Sequence, residues 1–175
     1  MWGWLVLISL ILLSCAPAET AATPTALPDQ TKTIQVEDLD VATGQTVYVP
    51  AYSEIYYAPG RTLNLAVTLS IHNTDLNHPI VVTAVRYYNA QGQLVKDFLS
   101  QPQQLGPLAA TDFFIEQQDT SGGLGSNFLV EWVAEQPVYE PVVEAVMIGT
   151  VSSQGISFIS PGRVVTQTGE KPAAN

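Results

Sequence analysis

The sequence predicts an all-β fold, an immunoglobulin-like antiparallel sandwich of about seven to nine strands, over residues 46–166. Three observations carry this. From Thr62 to Asn73 the residues Leu63, Leu65, Val67, Leu69 and Ile71 alternate without a break against Thr62, Asn64, Ala66, Thr68, Ser70 and His72. Period two over that length means a strand with one buried and one wet face. Turn signals recur at Pro59-Gly60, Gly106-Pro107, Ser121-Gly122-Gly123, Gln154-Gly155 and Pro161-Gly162. Between them no stretch has a helix-length apolar period.

The elements follow in order. Val47–Val49 and Tyr52–Tyr57 open the domain, and the long alternating strand comes next. Ile80–Asn89 is β-branched and aromatic, and it runs through Ala90-Gln91-Gly92-Gln93, a turn, into Leu94–Leu99. That pattern is a hairpin. Asp112–Gln117, Asn127–Ala134, Val143–Thr150, Gly155–Ser160 and Arg163–Thr166 complete the set. Short links make neighbours antiparallel; a closed barrel is the alternative arrangement of the same strands. Trp132 alternates inward with Phe128 and Val130, which turns Glu131 toward solvent. The chain has one cysteine, so no disulfide braces the core.

The flanks read differently. Trp2–Leu13 is a run of twelve residues with Ser9 as its one polar side chain. As a helix it would cover about 18 Å, too short for a hydrocarbon core of about 30 Å but suited to a signal peptide. Leu12-Leu13-Ser14-Cys15 resembles the lipobox of bacterial lipoprotein precursors. The resemblance implies cleavage after residue 14, acylation of Cys15 and anchoring by two or three acyl chains. The segment before the apolar run carries no Lys or Arg, a departure from the usual signal peptide. Ala16 instead of Asp implies, by analogy with lipoprotein sorting, the outer membrane facing the periplasm. Residues 15–45 are rich in Pro, Ala and Thr, and are expected to be a disordered tether; residues 167–175 are expected to be a disordered tail.

Charge narrows the partners. The formal charge is −10, and every acidic or basic residue follows Cys15. Such a surface repels phosphate backbones and anionic headgroups, so nucleic acid is excluded as a partner, and membrane attachment falls to the Cys15 lipid. Apolar residues, 46% of the chain, supply a core, and the 13% of charged residues is too few for a solvated disordered chain.

The segments VYVPAYSEIYY, LAVTLSIHNTD, VRYYNAQGQLV, DTSGGLGSNFLVEW and EAVMIGTVSSQGISFISPGRVV resemble a family of bacterial domains of unknown function, over roughly residues 46–166. The resemblance implies small lipoproteins with no assigned activity, and it brings no catalytic residues.

Two polar stretches are candidate interaction surface. His72-Asn73-Thr74-Asp75-Leu76-Asn77-His78 holds two potential metal ligands of the imidazole type and a carboxylate. Its place between a strand and Pro79 reads instead as a solvated turn. Asp119-Thr120-Ser121-Gly122-Gly123 is similar to a serine-protease nucleophile surround, but Thr120 interrupts it and neither His lies in a general-base motif. Gly122-Gly123-Leu124-Gly125 has no following Lys, so it is no phosphate loop. Tyr48, Tyr52, Tyr56, Tyr57, Tyr87 and Tyr88 supply core packing or recognition surface.

The reading is a non-enzymatic envelope binding module with no catalytic residue, metal or cofactor, His72, Asn73, Asp75, Asp119 and Ser121 being its candidate surface. The rival is a small-ligand or hydrolytic site built from the loops 72–79 and 119–126. It requires both loops at one end of the sandwich.

Overall fold

The computed structural model describes Ile34, residues 36–150 and residues 155–169. The expected signal peptide, Cys15 and the tether up to residue 33 lie outside the described residues, as does the tail from residue 170. The strands are β1 (Thr43–Pro50), β2 (Glu54–Ala58), β3 (Arg61–Asn64), β4 (Ala66–His72), β5 (Ile80–Tyr88), β6 (Leu94–Asp97), β7 (Gln103–Leu105), β8 (Ala110–Ile115), β9 (Asn127–Ala134), β10 (Val142–Gly149), β11 (Ile156–Pro161) and β12 (Arg163–Gly169). Two short 3-10 turns, Val36–Asp38 and Gly123–Gly125, accompany them.

Sheet 1 runs β12–β1–β9–β5–β6, with β7 also on β5; sheet 2 runs β11–β10–β4–β8; β2 and β3 pair as a separate hairpin. All pairings are antiparallel. The core is one cluster fed by both sheets. Val49 of β1, Val82 and Val85 of β5, and Phe128, Val130 and Trp132 of β9 meet Val67, Leu69 and Ile71 of β4 and Ala145 and Met147 of β10. β4 has the strict alternation that the sequence predicts, since one of its faces is core and the other solvent. β5 lacks a clean alternation because a bulge between Val82 and Ala84 inserts Thr83, which lets both Val82 and Val85 reach the core. The β5–β6 turn closes locally: the Asn89 carboxamide oxygen accepts from the N–H groups of Gln91 and Gln93. Gly92 there takes a φ of 75°.

The architecture is the expected all-β sandwich, with corrections in detail. The described residues hold twelve strands rather than seven to nine. The long alternating segment divides at Leu65, whose N–H donates to the Ser53 carbonyl (2.8 Å), so β3 pairs with β2 while β4 enters sheet 2. β7 is a short strand that carries no apolar alternation to announce it. The tether and tail boundaries also move. Thr43 and Gln45 are buried inside β1, and Ile34 is buried, so the packed domain reaches well before residue 46. At the other end β12 continues to Gly169, with Gln167, Thr168 and Gly169 paired to Gln45, Gly44 and Thr43. Backbone pairing, not side-chain burial, holds that strand, whose residues are all exposed.

Candidate functional site

The two candidate loops lie at opposite ends of the sandwich. In the β5–β9 pair Val81 faces Val133 and Tyr88 faces Asn127, so the loop before β9 sits at the far end of β5 from the loop that precedes it. The β4–β8 pair gives the same result: His72 faces Ala110, and Val67 faces Ile115. β5 has nine residues. At about 3.3 Å per residue it holds the loops about 30 Å apart. A single site from the loops 72–79 and 119–126 is therefore excluded. With both histidines at the other end, Asp119 and Ser121 have no imidazole to act with.

Asn73 and Asp75 are not surface. They are 2% and 5% exposed, and together they knit three loops. The Asn73 Nδ2 donates to the carbonyls of His78 (2.9 Å), Leu105 (3.2 Å) and Gly106 (2.9 Å), while its Oδ1 accepts from the Asp75 N–H (3.0 Å). Asp75 Oδ1 accepts from the N–H groups of Asn77 and His78 (both 2.9 Å), and Oδ2 from that of Tyr139 (3.3 Å). The His78 ring adds a contact from Nδ1 at 3.3 Å. The correction to the expected solvated turn has a physical cause. An Asx turn satisfies its own backbone first, and here the same two side chains also collect the backbone groups of Leu105, Gly106 and Tyr139. His72 is exposed, with Nε2 2.7 Å from Ser70 Oγ on the outer face of sheet 2. Among the described residues no three His, Cys, Asp or Glu side chains converge as a metal would need.

Burial pushes the Asp75 carboxyl upward, but the three N–H donors and the His78 ring outweigh it and hold it below its ordinary 3.8. The depressed value means the folded state favours the carboxylate. Its contribution is full above the unfolded value and is lost as pH falls through the folded one. We expect thermal melts between pH 6 and 3 to show wild type losing stability below about pH 4 more steeply than Asp75→Asn. Parallel acid limbs in the two proteins would remove Asp75 as a contributor.

The 119–126 loop is built around packing. The Asp119 Oδ1 accepts from the Ser121 N–H (3.0 Å), an Asx turn. Ser53 Oγ donates to the Gly123 carbonyl (3.1 Å), and Ser126 Oγ to that of Ala51. The Tyr87 hydroxyl is buried with no hydrogen-bond partner among the described residues, and it rests against Gly122. A Cβ at position 122 would lie 1.8 Å from that hydroxyl, so the Ser-Gly-Gly motif answers to packing at this position. Ser121 is exposed.

Two features escaped the sequence reading. At the 119–126 end, the β2–β3 hairpin exposes Tyr56 (64%) and Tyr57 (58%), and the Arg61 guanidinium lies 5.2 Å from the centre of the Tyr57 ring. A bulge at Tyr57 interrupts the pairing between Tyr56–Thr62 and Ala58–Arg61. The tyrosines were visible in the sequence, but the bulge that leaves both in solvent was not. At the 72–79 end a cleft of about 450 Å³ opens on the outer face of sheet 1. Ile34, Asp38 and Leu39 form one wall, Val81 and Gln104 share a register position on the sheet, and His78, Ala134 and Glu135 border the rest.

Comparison with curated proteins and with solved structures finds no match. The model of the family described as "Protein of unknown function (DUF3124)" matches residues 44–165, from β1 into β12 and well over half of the sequence. The chain belongs to the DUF3124 family.

Proposed function

We propose that the chain is a lipid-anchored, non-enzymatic binding module of the cell envelope. On this reading Cys15 holds it to the membrane, and the β2–β3 hairpin engages a protein or an envelope polymer. The observation that carries the binding reading is the exposed Tyr56–Tyr57 pair with the Arg61 guanidinium over the Tyr57 ring. Tyrosine and arginine are the side chains enriched where binding energy concentrates, since each offers a wide flat surface and a polar end.

The anchor and the surface have separate tests. Cys15→Ala should abolish incorporation of labelled palmitate and leave a longer, uncleaved chain; equal labelling of both proteins would end the lipoprotein reading. Tyr56→Ala/Tyr57→Ala should melt within about 0.5 kcal/mol of wild type, as exposed positions do, yet lose at least tenfold in recovery of whatever envelope component co-purifies with the native chain. Undiminished recovery would assign binding to another surface.

A further inference from the structure

The cleft at the 72–79 end takes no part in the hairpin reading, and its chemistry is one-sided. Its apolar surface comes from Ile34 and Val81, both buried, with Leu39 and the exposed Pro79 beside them. Val81 alternates away from the core residues Ile80 and Val82, and Ile34, Asp38 and Leu39 line the same cleft. The carboxylates of Asp38 and Glu135 are on exposed residues of the border, and among the described residues neither Lys nor Arg lines the cleft. The volume of about 450 Å³ is that of a small-molecule site.

Each ligand class meets this site differently. An anion would face two carboxylates with no Lys or Arg among the described lining residues to offset them. A neutral apolar molecule would fill the floor while stripping water from those carboxylates without replacing it. A cation on an apolar body satisfies both parts, and the formal charge of −10 raises the local concentration of such a molecule. We infer that the cleft binds an organic cation, an ammonium or guanidinium group carried on a short apolar body. The apolar body rests against Ile34 and Val81, and the charge faces Asp38 and Glu135.

The test uses three probes of one shape and different charge: benzylammonium, benzyl alcohol and benzoate. Each is titrated into the full chain in detergent micelles, and the amide resonances of Val81, Gln104 and Ala134 are followed. Benzylammonium should saturate these shifts with a Kd on the order of millimolar, appropriate to so few heavy atoms, and benzoate should bind at least tenfold more weakly. Asp38→Asn and Glu135→Gln should each weaken benzylammonium about two- to fivefold, the range of an exposed charge pair, with unchanged melting. Benzoate binding as well as benzylammonium, shifts indifferent to both substitutions, or no saturable shift with any probe would overturn the assignment.

Discussion

Val67→Asp should leave the domain largely unfolded at room temperature, while Thr68→Asp melts within about 1 kcal/mol of wild type. Val67 is fully buried at the second position of β4, flanked in register by Met147 on β10 and Ile115 on β8. A carboxylate there gains no donor, because its neighbours are apolar. Burying an unpaired charge costs several kcal/mol, comparable with the whole stability of about 5–15 kcal/mol of a small domain. Thr68, one residue on, is half-buried on the outer face beside Val146 and the exposed Phe114. Chemical denaturation of both variants reads the register directly, since a slip of one residue exchanges the faces. Equal losses would mean a strand buried on both sides, and the opposite ranking would refute the β4 assignment.

Asn73→Ala should be the most damaging polar substitution, at about 3–5 kcal/mol. Truncation takes the amide donor from the carbonyls of His78, Leu105 and Gly106 and the acceptor from the N–H of Asp75; of these the Gly106 carbonyl keeps the Ala109 N–H. Each buried group so orphaned costs about 1–3 kcal/mol, less what water entering the loop restores. The damage spreads beyond residue 73. The 105–109 turn contains Leu108 at a φ of 58°, a left-handed conformation that an L side chain rarely adopts, and the Leu108 N–H is tied to the Asp75 carbonyl at 3.2 Å. Loss of Asn73 loosens what holds that turn, so hydrogen exchange should accelerate at Leu108 and Ala109 as well as at Asp75. A loss below about 1 kcal/mol would show that water replaces the network, and that the loops are held by the apolar core instead.

The difference between these two positions explains how much of the molecule was legible in its sequence. Val67 was readable because burial on one face of an antiparallel sheet writes itself into the chain as period two. The hairpin at Ala90–Gln93 was readable because its turn chemistry is local, an Asn and a Gly satisfying groups within four residues. Asn73 and Asp75 were not, because the carbonyls of Leu105 and Gly106 and the N–H of Tyr139 are distant in sequence. A short polar side chain after a strand reads as a solvated turn unless the fold brings backbone to it. Ile34 failed for the opposite reason: one apolar residue in a segment rich in Pro, Thr and acids has no period. β12 exceeded its expected length because Gln167–Gly169 contribute backbone to the β1 ladder and no side chain to the core. The opposite placement of the two polar loops follows from strand register, a property of pairing that single-strand patterns do not contain.

That register organises the functional account. Chemistry needing Ser121 and a histidine together is ruled out by about 30 Å of sheet. What is left at the two ends is a cleft beside Ile34 and an aromatic hairpin on the far side. The measurement that tests this division most directly is photo-crosslinking in growing cells, with a benzophenone side chain installed in turn at Tyr57, Leu76 and Ile159, all three exposed. Tyr57 samples the hairpin, Leu76 the opposite end, and Ile159 the outer face of sheet 2. A discrete adduct is expected from Tyr57 alone, lost when Tyr56 and Arg61 are also replaced by Ala. Adducts from Leu76 or Ile159 with none from Tyr57 would contradict this division.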